Sequence, residues 1–163
     1  MPDIEHLSPD VLAFIERNGL YFEQYGLPRI GGRIAGLLLV AHRPLTLDDI
    51  AGALQVSRAS VSTNLRLCVT YGFAERVGVP GDRRDYYQFP EHGWDRILLI
   101  NIEAVKAWRA ITERGLAAVS TDDSMVHDRL EEMLVFIDVV SADSYAMLEH
   151  WRARRRARQR KRA

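Results

Sequence analysis

The sequence predicts a mainly α-helical protein with one small two-stranded β-hairpin, and three observations support this prediction. Apolar side chains recur at helical spacing along most of the 163 residues, with breaks at glycine and proline. Two β-like runs stand close together between residues 73 and 89. The composition, 47% hydrophobic and 27% charged, is that of an ordinary globular protein. We therefore expect one small core with helical arms.

Residues typical of helix ends predict the bounds of the first two helices. Ser8 is a predicted N-cap, Pro9 suits the first helical position, and Gly26 ends the helix. A second helix is expected from about Pro28 to His42, where the glycines would allow close backbone packing.

The next segment predicts a helix, a tight turn, a longer helix and a hairpin. Thr46 begins a short helix that ends near Leu54, and Ser57 caps another that reaches Tyr71. The strands are predicted from Phe73 to Val79 and from Arg84 to Phe89, with Pro80–Arg83 as the reversal. This order is that of a winged helix-turn-helix domain. Gln55 departs from the usual helix-turn-helix pattern, because the turn between the two helices often has glycine at this position.

Two further helices are expected after Pro90. Gly115 and the cluster Ser120–Asp123 predict a break between them, and the last helix spans Val126 to Leu148. The predicted domains are an N-terminal helix contributing to a dimer (1–27), a winged helix-turn-helix domain (28–90), a C-terminal helical dimerisation region (91–151) and a basic tail (152–163). The dimer prediction depends on the excess apolar surface of residues 94 to 148.

One face of the longer helix carries the features of DNA recognition. Val61, Leu65, Cys68 and Val69 share the inward face, and the opposite face has small polar groups and arginines. No acidic residue lies between positions 57 and 70. Small side chains let a helix sit deep in the major groove, and arginine pairs with guanine edges. A merely solvated face usually mixes both charge signs, so the DNA interpretation is favoured.

The hairpin provides a second predicted contact. Arg83 and Arg84 lie at its tip, where a guanidinium can enter a minor groove. Asp82 and Asp85 flank them and could hold their orientation, although charged tips also serve to keep sheet edges soluble. The residues predicted to contact DNA are Ser57, Arg58, Ser60, Ser62, Thr63, Arg66, Arg83 and Arg84.

The net charge of zero conceals a strong polarity along the chain. Residues 152 to 163 carry eight basic groups and no acid. Residues 26 to 90 have eight basic against five acidic groups, whereas residues 91 to 151 have five against twelve. Because phosphate attraction depends on where positive charge is presented, zero net charge does not exclude nucleic acid.

Several stretches carry a family resemblance. They are Gly26–Arg29, Gly32–Arg33, Arg43–Asp48, Val56–Leu65 and Pro80–Tyr87. Together they resemble the GbsR-like branch of the MarR superfamily, over about Phe14 to Trp94. The resemblance implies a homodimeric winged-helix regulator of transcription, usually a repressor, that binds double-stranded DNA. A two-fold dimer predicts a roughly palindromic operator. Cys68 stands where the family pattern usually has leucine.

The same branch is associated with betaine and choline metabolism, which implies a quaternary-ammonium effector. Such a ligand needs aromatic faces converging on a cation. The candidate ligand-binding residues are Tyr21, Tyr25, Tyr87 and Trp94, with Tyr86 beside them. The alternative, that these rings fill the core and the dimer interface, is favoured because aromatic residues at helical spacing mostly pack.

The basic tail and the cysteine each allow more than one interpretation. The tail could be a helix touching DNA phosphates, a frayed end, or a strap against the acidic helices. We expect it to add salt-sensitive, non-specific affinity, since it lacks apolar spacing. Cys68 is predicted to be a small core residue rather than a redox sensor.

Other function classes have little support. The five histidines are scattered without metal-ligand spacing, and no catalytic constellation or phosphate loop is recognisable, so we expect no metal, no cofactor and no enzyme activity. No export signal or membrane span is predicted, and the single cysteine fits the cytoplasm. The alternative function is a winged-helix protein-interaction module without DNA binding.

Overall fold

The computed structural model describes residues 7–120 and 123–161. Its elements are α1 (Pro9–Gln24), α2 (Arg29–Val40), β1 (Leu45–Thr46), α3 (Leu47–Leu54), α4 (Arg58–Thr70), β2 (Glu75–Val77), β3 (Tyr86–Gln88), α5 (Gly93–Ala118) and α6 (Ser124–Arg160). The chain divides into two compact units between Gly93 and Trp94. The mainly helical fold class is confirmed.

Side-chain caps set the predicted helix starts. Ser8 Oγ accepts a hydrogen bond from the Val11 amide before α1, and Ser57 Oγ accepts one from the Ser60 amide before α4. At α3, Thr46 and Asp49 form a reciprocal capping box, in which each side chain bonds the other residue's amide. Each cap satisfies amides that the first turn leaves without helical partners.

The sheet has one strand more than the sequence predicted. β3 pairs antiparallel with β2, as expected for the hairpin, and also with β1, in the order β1-β3-β2. Leu45 lies opposite Tyr87, and Thr46 lies opposite Tyr86. The predicted two-stranded wing is confirmed as the β2–β3 hairpin, and β1 adds a third strand to the sheet. β1 joins the base of the wing to the N-terminus of α3.

The core of the first unit lies among α1, α2, α3 and α4. Its fully buried side chains include Ile15, Ile34, Leu37, Leu45, Ile50, Val61 and Leu65. A Cβ on Gly32 would lie 2.6 Å from the Asn18 carbonyl oxygen, so the close crossing of α1 and α2 requires glycine there. Arg33 joins three helices, because it pairs with Glu16 at 2.6 Å and donates to the Leu54 carbonyl at 2.9 Å.

The second unit is an antiparallel hairpin of α5 and α6. The predicted break between the two helices is present, although α5 continues past Gly115 to Ala118, and Asp123 caps α6 as the polar cluster indicated. The tail is helical as far as Arg160 because α6 continues into it. Only Ile102, Ile137 and Leu148 are buried hydrophobic residues among the described residues of this unit. None of the described helices is long and apolar enough to span a bilayer.

Candidate nucleic-acid interface

The outward face of α4 is polar, as its sequence predicted. Val61, Leu65 and Cys68 are at most 1% exposed, whereas Thr63 and Arg66 are exposed to solvent. The outer face consists of Ala59, Thr63, Arg66 and Thr70, with Ser60 and Ser62 half-buried at its sides. We call Ser60, Thr63 and Arg66 the polar ridge. The ridge projects away from the core of its unit.

The sequence did not indicate that Asn64 would be buried. It is 8% exposed, and its amide nitrogen donates to the Ser60 carbonyl at 2.9 Å. Its position between Val61 and Leu65 places it on the inward side of α4, where a polar side chain needs a partner. Asn64 therefore supports the helix beneath the polar ridge and is not offered to a duplex.

The N-terminus of α4 is suited to an anion. Ser57 caps the helix, its hydroxyl lies 3.0 Å from that of Ser60, and no acidic residue occupies the first turn. The free amides and the positive end of the helix dipole favour a phosphate at this point. Ser57 therefore sets the start of the helix.

Arg58 is not free in this structure. Its guanidinium pairs with the Asp48 carboxylate at 2.5 Å, although both side chains are more than half exposed. The pair links the first turn of α3 to the first turn of α4. Sequence reasoning missed it, because ten residues separate the two partners and helical spacing relates residues of one helix only.

The wing tip is an ordered turn. Pro80 precedes Gly81, whose φ is +84°, and the Asp82 amide donates to the Val79 carbonyl at 3.0 Å. These features are those of a type II turn, which needs glycine at the residue after proline. The tight reversal predicted for Pro80–Arg83 is confirmed.

A carboxylate fixes Arg84 at this tip. Asp82 accepts hydrogen bonds from Arg84 Nε at 2.9 Å and from the Tyr86 hydroxyl at 2.8 Å. Hydrogen bonds from the Arg84 side chain and amide hold the pKa of Asp82 well below its usual range. The predicted orienting role of Asp82 is thus confirmed for Arg84. Asp85 instead pairs with Arg76 at 3.1 Å, so its predicted role beside Arg83 and Arg84 was wrong.

Arg83 differs from its neighbour. It is exposed, and within the part of the chain that the structure describes no ion pair is recorded for it. A small cavity of about 220 Å³ has Arg58 and Arg84 in its wall, together with Tyr87. The structure therefore brings the first turn of α4 and the wing to one surface, which we call the reading surface.

Comparison with known proteins identifies the family. Residues 25–85 match the model of the MarR family, and residues 92–154 match that of MmpR5-like MarR family transcriptional regulators. The HTH-type transcriptional regulator MmpR5 of Mycobacterium tuberculosis is 33% identical over 141 residues, which are 84% of this chain and 86% of that protein. The chain belongs to the MarR family.

Two further relatives agree with this assignment. The HTH-type transcriptional repressor OpcR of Bacillus subtilis is 29% identical over 84 residues, covering 52% of this chain and 44% of that protein. A crystal structure described as that of a transcriptional regulator superimposes with a TM-score of 0.82 at 30% identity, over 89% of this chain and 99% of that one. The winged-helix fold is confirmed, and this MarR-family chain is a DNA-binding transcriptional regulator.

The four predicted cage residues of this MarR-family protein are found on several elements. Tyr21 and Tyr25 pack against each other with ring centroids 4.9 Å apart, and both are more than half exposed. Tyr87 instead lies on β3, in the wall of the cavity that holds Arg58. Trp94 belongs to the second unit, where arginines surround it and would repel a cation.

Cys68 is a core residue, as predicted. It is 1% exposed, and its sulfur lies 3.4 Å from the Gly31 carbonyl oxygen. Burial raises the pKa of its thiol to about 12, so the reactive thiolate is suppressed at neutral pH. This chemistry fits packing between α2 and α4 and does not fit a redox sensor.

Proposed function

We propose that this MarR-family regulator is a homodimeric, sequence-specific repressor of transcription that acts in the cytoplasm. In this proposal α4 enters the major groove, and the wing reaches the adjacent minor groove. The regulator needs no cofactor and is not an enzyme. The GbsR-like branch, which the motifs resemble, is part of the same proposal.

The polar ridge beside the wing is the observation that supports this function best. Ser60, Thr63 and Arg66 project from a helix whose other face is packed in the core, so their positions are set before DNA arrives. A helix that is already ordered loses little backbone entropy on binding. The hydroxyls suit phosphates and base edges, and arginine reads guanine through two parallel hydrogen bonds.

The two arginines of the wing have different roles in its contact with DNA. Arg84 is held by Asp82 and Tyr86, so its guanidinium is oriented. Arg83 extends from the tip. We expect Arg83 to enter the minor groove and Arg84 to approach the neighbouring phosphates, because only the unpaired guanidinium can reach into the groove without breaking an ion pair.

The second unit supports the dimer. Its exposed large hydrophobic residues include Ile111 at 58%, Val135 at 65% and Val139 at 56%. Apolar surface of this extent normally marks a contact with another protein. A second copy is the partner we propose, and its two-fold symmetry would place two α4 helices about 34 Å apart on DNA, over a roughly palindromic operator.

A mobility-shift assay with the DNA upstream of the chain's own gene tests the DNA contacts. We expect the double variant Arg66→Ala/Arg83→Ala to abolish the shift, with affinity lowered by at least about a hundredfold. The matched control is Arg114→Ala/Arg129→Ala, which removes the same charge from exposed positions of α5 and α6. An equal loss in both variants would show that only overall charge matters.

The protein-interaction module is the second candidate. It is favoured by the acidic character of residues 91 to 151, which have twelve acidic against five basic groups and could dock a basic partner. It predicts no shift with any upstream fragment for the unaltered chain. A sequence-dependent shift that competitor DNA of scrambled sequence does not remove would exclude it.

A quaternary-ammonium effector remains part of the proposal through the GbsR-like resemblance. Tyr21 and Tyr25 are the paired, exposed rings that could face such a cation. Isothermal titration with choline and glycine betaine tests it, with Tyr21→Leu as the variant that should lose the heat. Absence of heat in the unaltered protein would discard this effector.

A further inference from the structure

Asp48 is an acidic residue on a surface that would meet a polyanion. It is the second residue of α3, its side chain is 58% exposed, and it lies in the wall of the cavity that also contains Arg58 and Arg84. An exposed carboxylate at such a place repels DNA phosphates and lowers the affinity for DNA. The contacts of α4 and the wing with DNA do not involve Asp48, so its negative charge needs a separate explanation.

The start of α3 does not explain this carboxylate. Thr46 and Asp49 form the capping box, and Asp49 already provides a negative charge in the first turn. The side-chain contact of Asp48 is its ion pair with Arg58, in which Oδ1 and Nη1 are 2.5 Å apart. Because both side chains are more than half exposed, water screens the pair and its contribution to stability is small. The main effect of the pair is to restrict the position of the Arg58 guanidinium.

Arg58 is held at the point where a recognition helix reads bases. It is the first residue of α4, directly after the Ser57 cap, and in helix-turn-helix proteins the N-terminal residues of this helix contact base edges. The ion pair uses the terminal nitrogen Nη1, and among residues 7–120 and 123–161 no other ion pair or hydrogen bond of this guanidinium is recorded. Nε and Nη2 therefore remain able to donate two parallel hydrogen bonds. Two such bonds are what arginine uses to bind O6 and N7 of guanine.

Pairing also changes which part of DNA attracts Arg58. An unpaired guanidinium is drawn to any backbone phosphate, because this attraction depends on charge and not on sequence. With the Asp48 carboxylate 2.5 Å away, the pair has no net charge and gains little from a phosphate. A hydrogen bond to guanine depends on the orientation of the N–H groups, which the pair maintains.

We propose that Asp48 is a positioning residue for DNA recognition, which orients Arg58 toward a guanine in the major groove and withholds it from backbone phosphates. The pair is then a determinant of sequence specificity that is shared between the two helices of the helix-turn-helix motif. This inference rests on the proposed function, since α4 must enter the major groove for Arg58 to reach a base. It gives α3 a part in reading the sequence without a base contact of its own.

Fluorescence anisotropy of the full chain tests the proposal with two duplexes of equal length, the footprinted operator and a scrambled sequence. Asp48→Asn removes one repulsive charge, so we expect the affinity for the scrambled duplex to rise about threefold. The affinity for the operator should fall about fivefold, because Arg58 is no longer oriented. The ratio of the two affinities, which measures specificity, should therefore fall by at least about tenfold.

Two variants control for the charge and for the carboxylate. Asp85→Asn removes the same charge from the wall of the same cavity, where Asp85 pairs with Arg76 and not with Arg58. It should raise both affinities by a similar factor and change the ratio by less than about twofold. Asp48→Glu keeps a carboxylate within reach of Arg58 and should keep the ratio within about threefold of that of the unaltered chain.

A double-mutant cycle shows whether Asp48 acts through Arg58. Arg58→Ala should lower the ratio at least as much as Asp48→Asn, and both variants should lose their preference at the same G·C base pair of the operator. Asp48→Asn/Arg58→Ala should have the same ratio as Arg58→Ala, because the carboxylate then has no side chain to position. Thermal unfolding of each variant should match that of the unaltered chain, since the substituted side chains are exposed.

The outcomes separate this inference from the proposed function. If the unaltered chain binds the operator and the scrambled duplex equally well, sequence-specific binding fails and the inference fails with it. If the unaltered chain distinguishes the two duplexes and Asp48→Asn distinguishes them equally well, only the role of Asp48 is overturned. Additive losses in the double variant would also overturn it, because Asp48 would then act independently of Arg58.

Discussion

The two units of this protein bury their apolar residues to very different extents. Among the residues that the structure describes, the first unit has thirteen buried hydrophobic residues and the second has three. Among the same described residues, the second unit exposes ten large hydrophobic side chains, all of them on α5 and α6, and the larger first unit exposes eight. A unit that closes its own core can fold without help, whereas an apolar helical hairpin of this kind needs a second surface to cover it.

This difference separates two roles. The first unit holds the reading surface rigidly, because every helix that carries it packs on the shared core. The second unit supplies apolar area, which in our proposal pairs two copies and so sets the spacing of two reading surfaces on DNA.

The largest expected effect comes from placing charge on the apolar surface of the second unit. Val135→Glu/Val139→Glu should weaken the dimer by at least about a hundredfold, since each carboxylate would be buried without a partner. Analytical ultracentrifugation over a range of concentrations measures this change. Both positions are exposed in the single chain, so its helicity should persist.

A matched variant controls for added charge on the same helix. Arg129→Glu places a carboxylate at an exposed position that is already polar, and the dimer should survive. If Val135→Glu/Val139→Glu leaves the sedimentation unchanged, then this face of α6 is not the dimer contact.

A truncation in the core of the first unit should reduce stability. Leu65 is 1% exposed beneath the polar ridge, so Leu65→Ala should lower the free energy of unfolding by about 3 kcal/mol. Val79→Ala, at an exposed position near the wing tip, should change it by less than about 0.5 kcal/mol. Urea denaturation followed by circular dichroism compares the two variants. Equal losses of unfolding free energy would contradict the placement of Leu65 in the core.

Deleting residues 152–163 should make the affinity for DNA less dependent on salt concentration. Arg152 and Arg155 are already occupied by Asp95, so the contribution comes from the other basic residues of the tail. We expect the slope of log affinity against log salt to become shallower by at least about one unit. Mobility shifts at a series of salt concentrations measure the slope, and an unchanged slope would refute the role of the tail.

The smallest predicted effect concerns Asp95 and pH. Burial would raise its pKa, but hydrogen bonds from Trp151 and Arg152 and the nearby Arg155 outweigh burial, and the pKa is lowered. A carboxyl with a lowered folded-state pKa stabilises the fold above its unfolded pKa of about 4, and this stabilisation is lost as the pH falls through the folded value. The end of α6 should therefore loosen only in acid.

Hydrogen exchange of residues 151–160 tests this prediction. At neutral pH, Asp95→Asn should have the same effect as protonation of Asp95 in acid. It should lower the hydrogen-exchange protection of residues 151–160 by about tenfold. Asp128→Asn, at an exposed position of α6, is the control and should leave protection unchanged. Equal exchange in Asp95→Asn and the unaltered protein would show that Asp95 does not hold this end of the helix.

Local sequence signals predicted most of the first unit. The caps at Ser8, Thr46 and Ser57 and the Pro80-Gly81 turn depend on neighbouring residues, so the sequence alone located them. The alternation of polar and apolar residues likewise identified the outward face of α4.

Features that depend on distant pairing escaped prediction. β1 is only two residues long and forms because β3 is beside it. The pair of Arg58 with Asp48, and the pairing of Asp85 with Arg76 rather than with the wing arginines, depend on folded geometry. The length of α6 was missed for a related reason, since its charged end is joined to α5 through Asp95, which is 56 residues from Trp151.

The central claim is that the polar ridge of α4 and the wing together grip DNA. Hydrogen exchange of the full chain with and without a bound operator fragment tests it most directly. We predict added protection in residues 57–66 and 80–86, with residues 100–118 and 124–148 unchanged. Protection confined to α5 and α6, with α4 and the wing exchanging as in the free protein, would contradict the account.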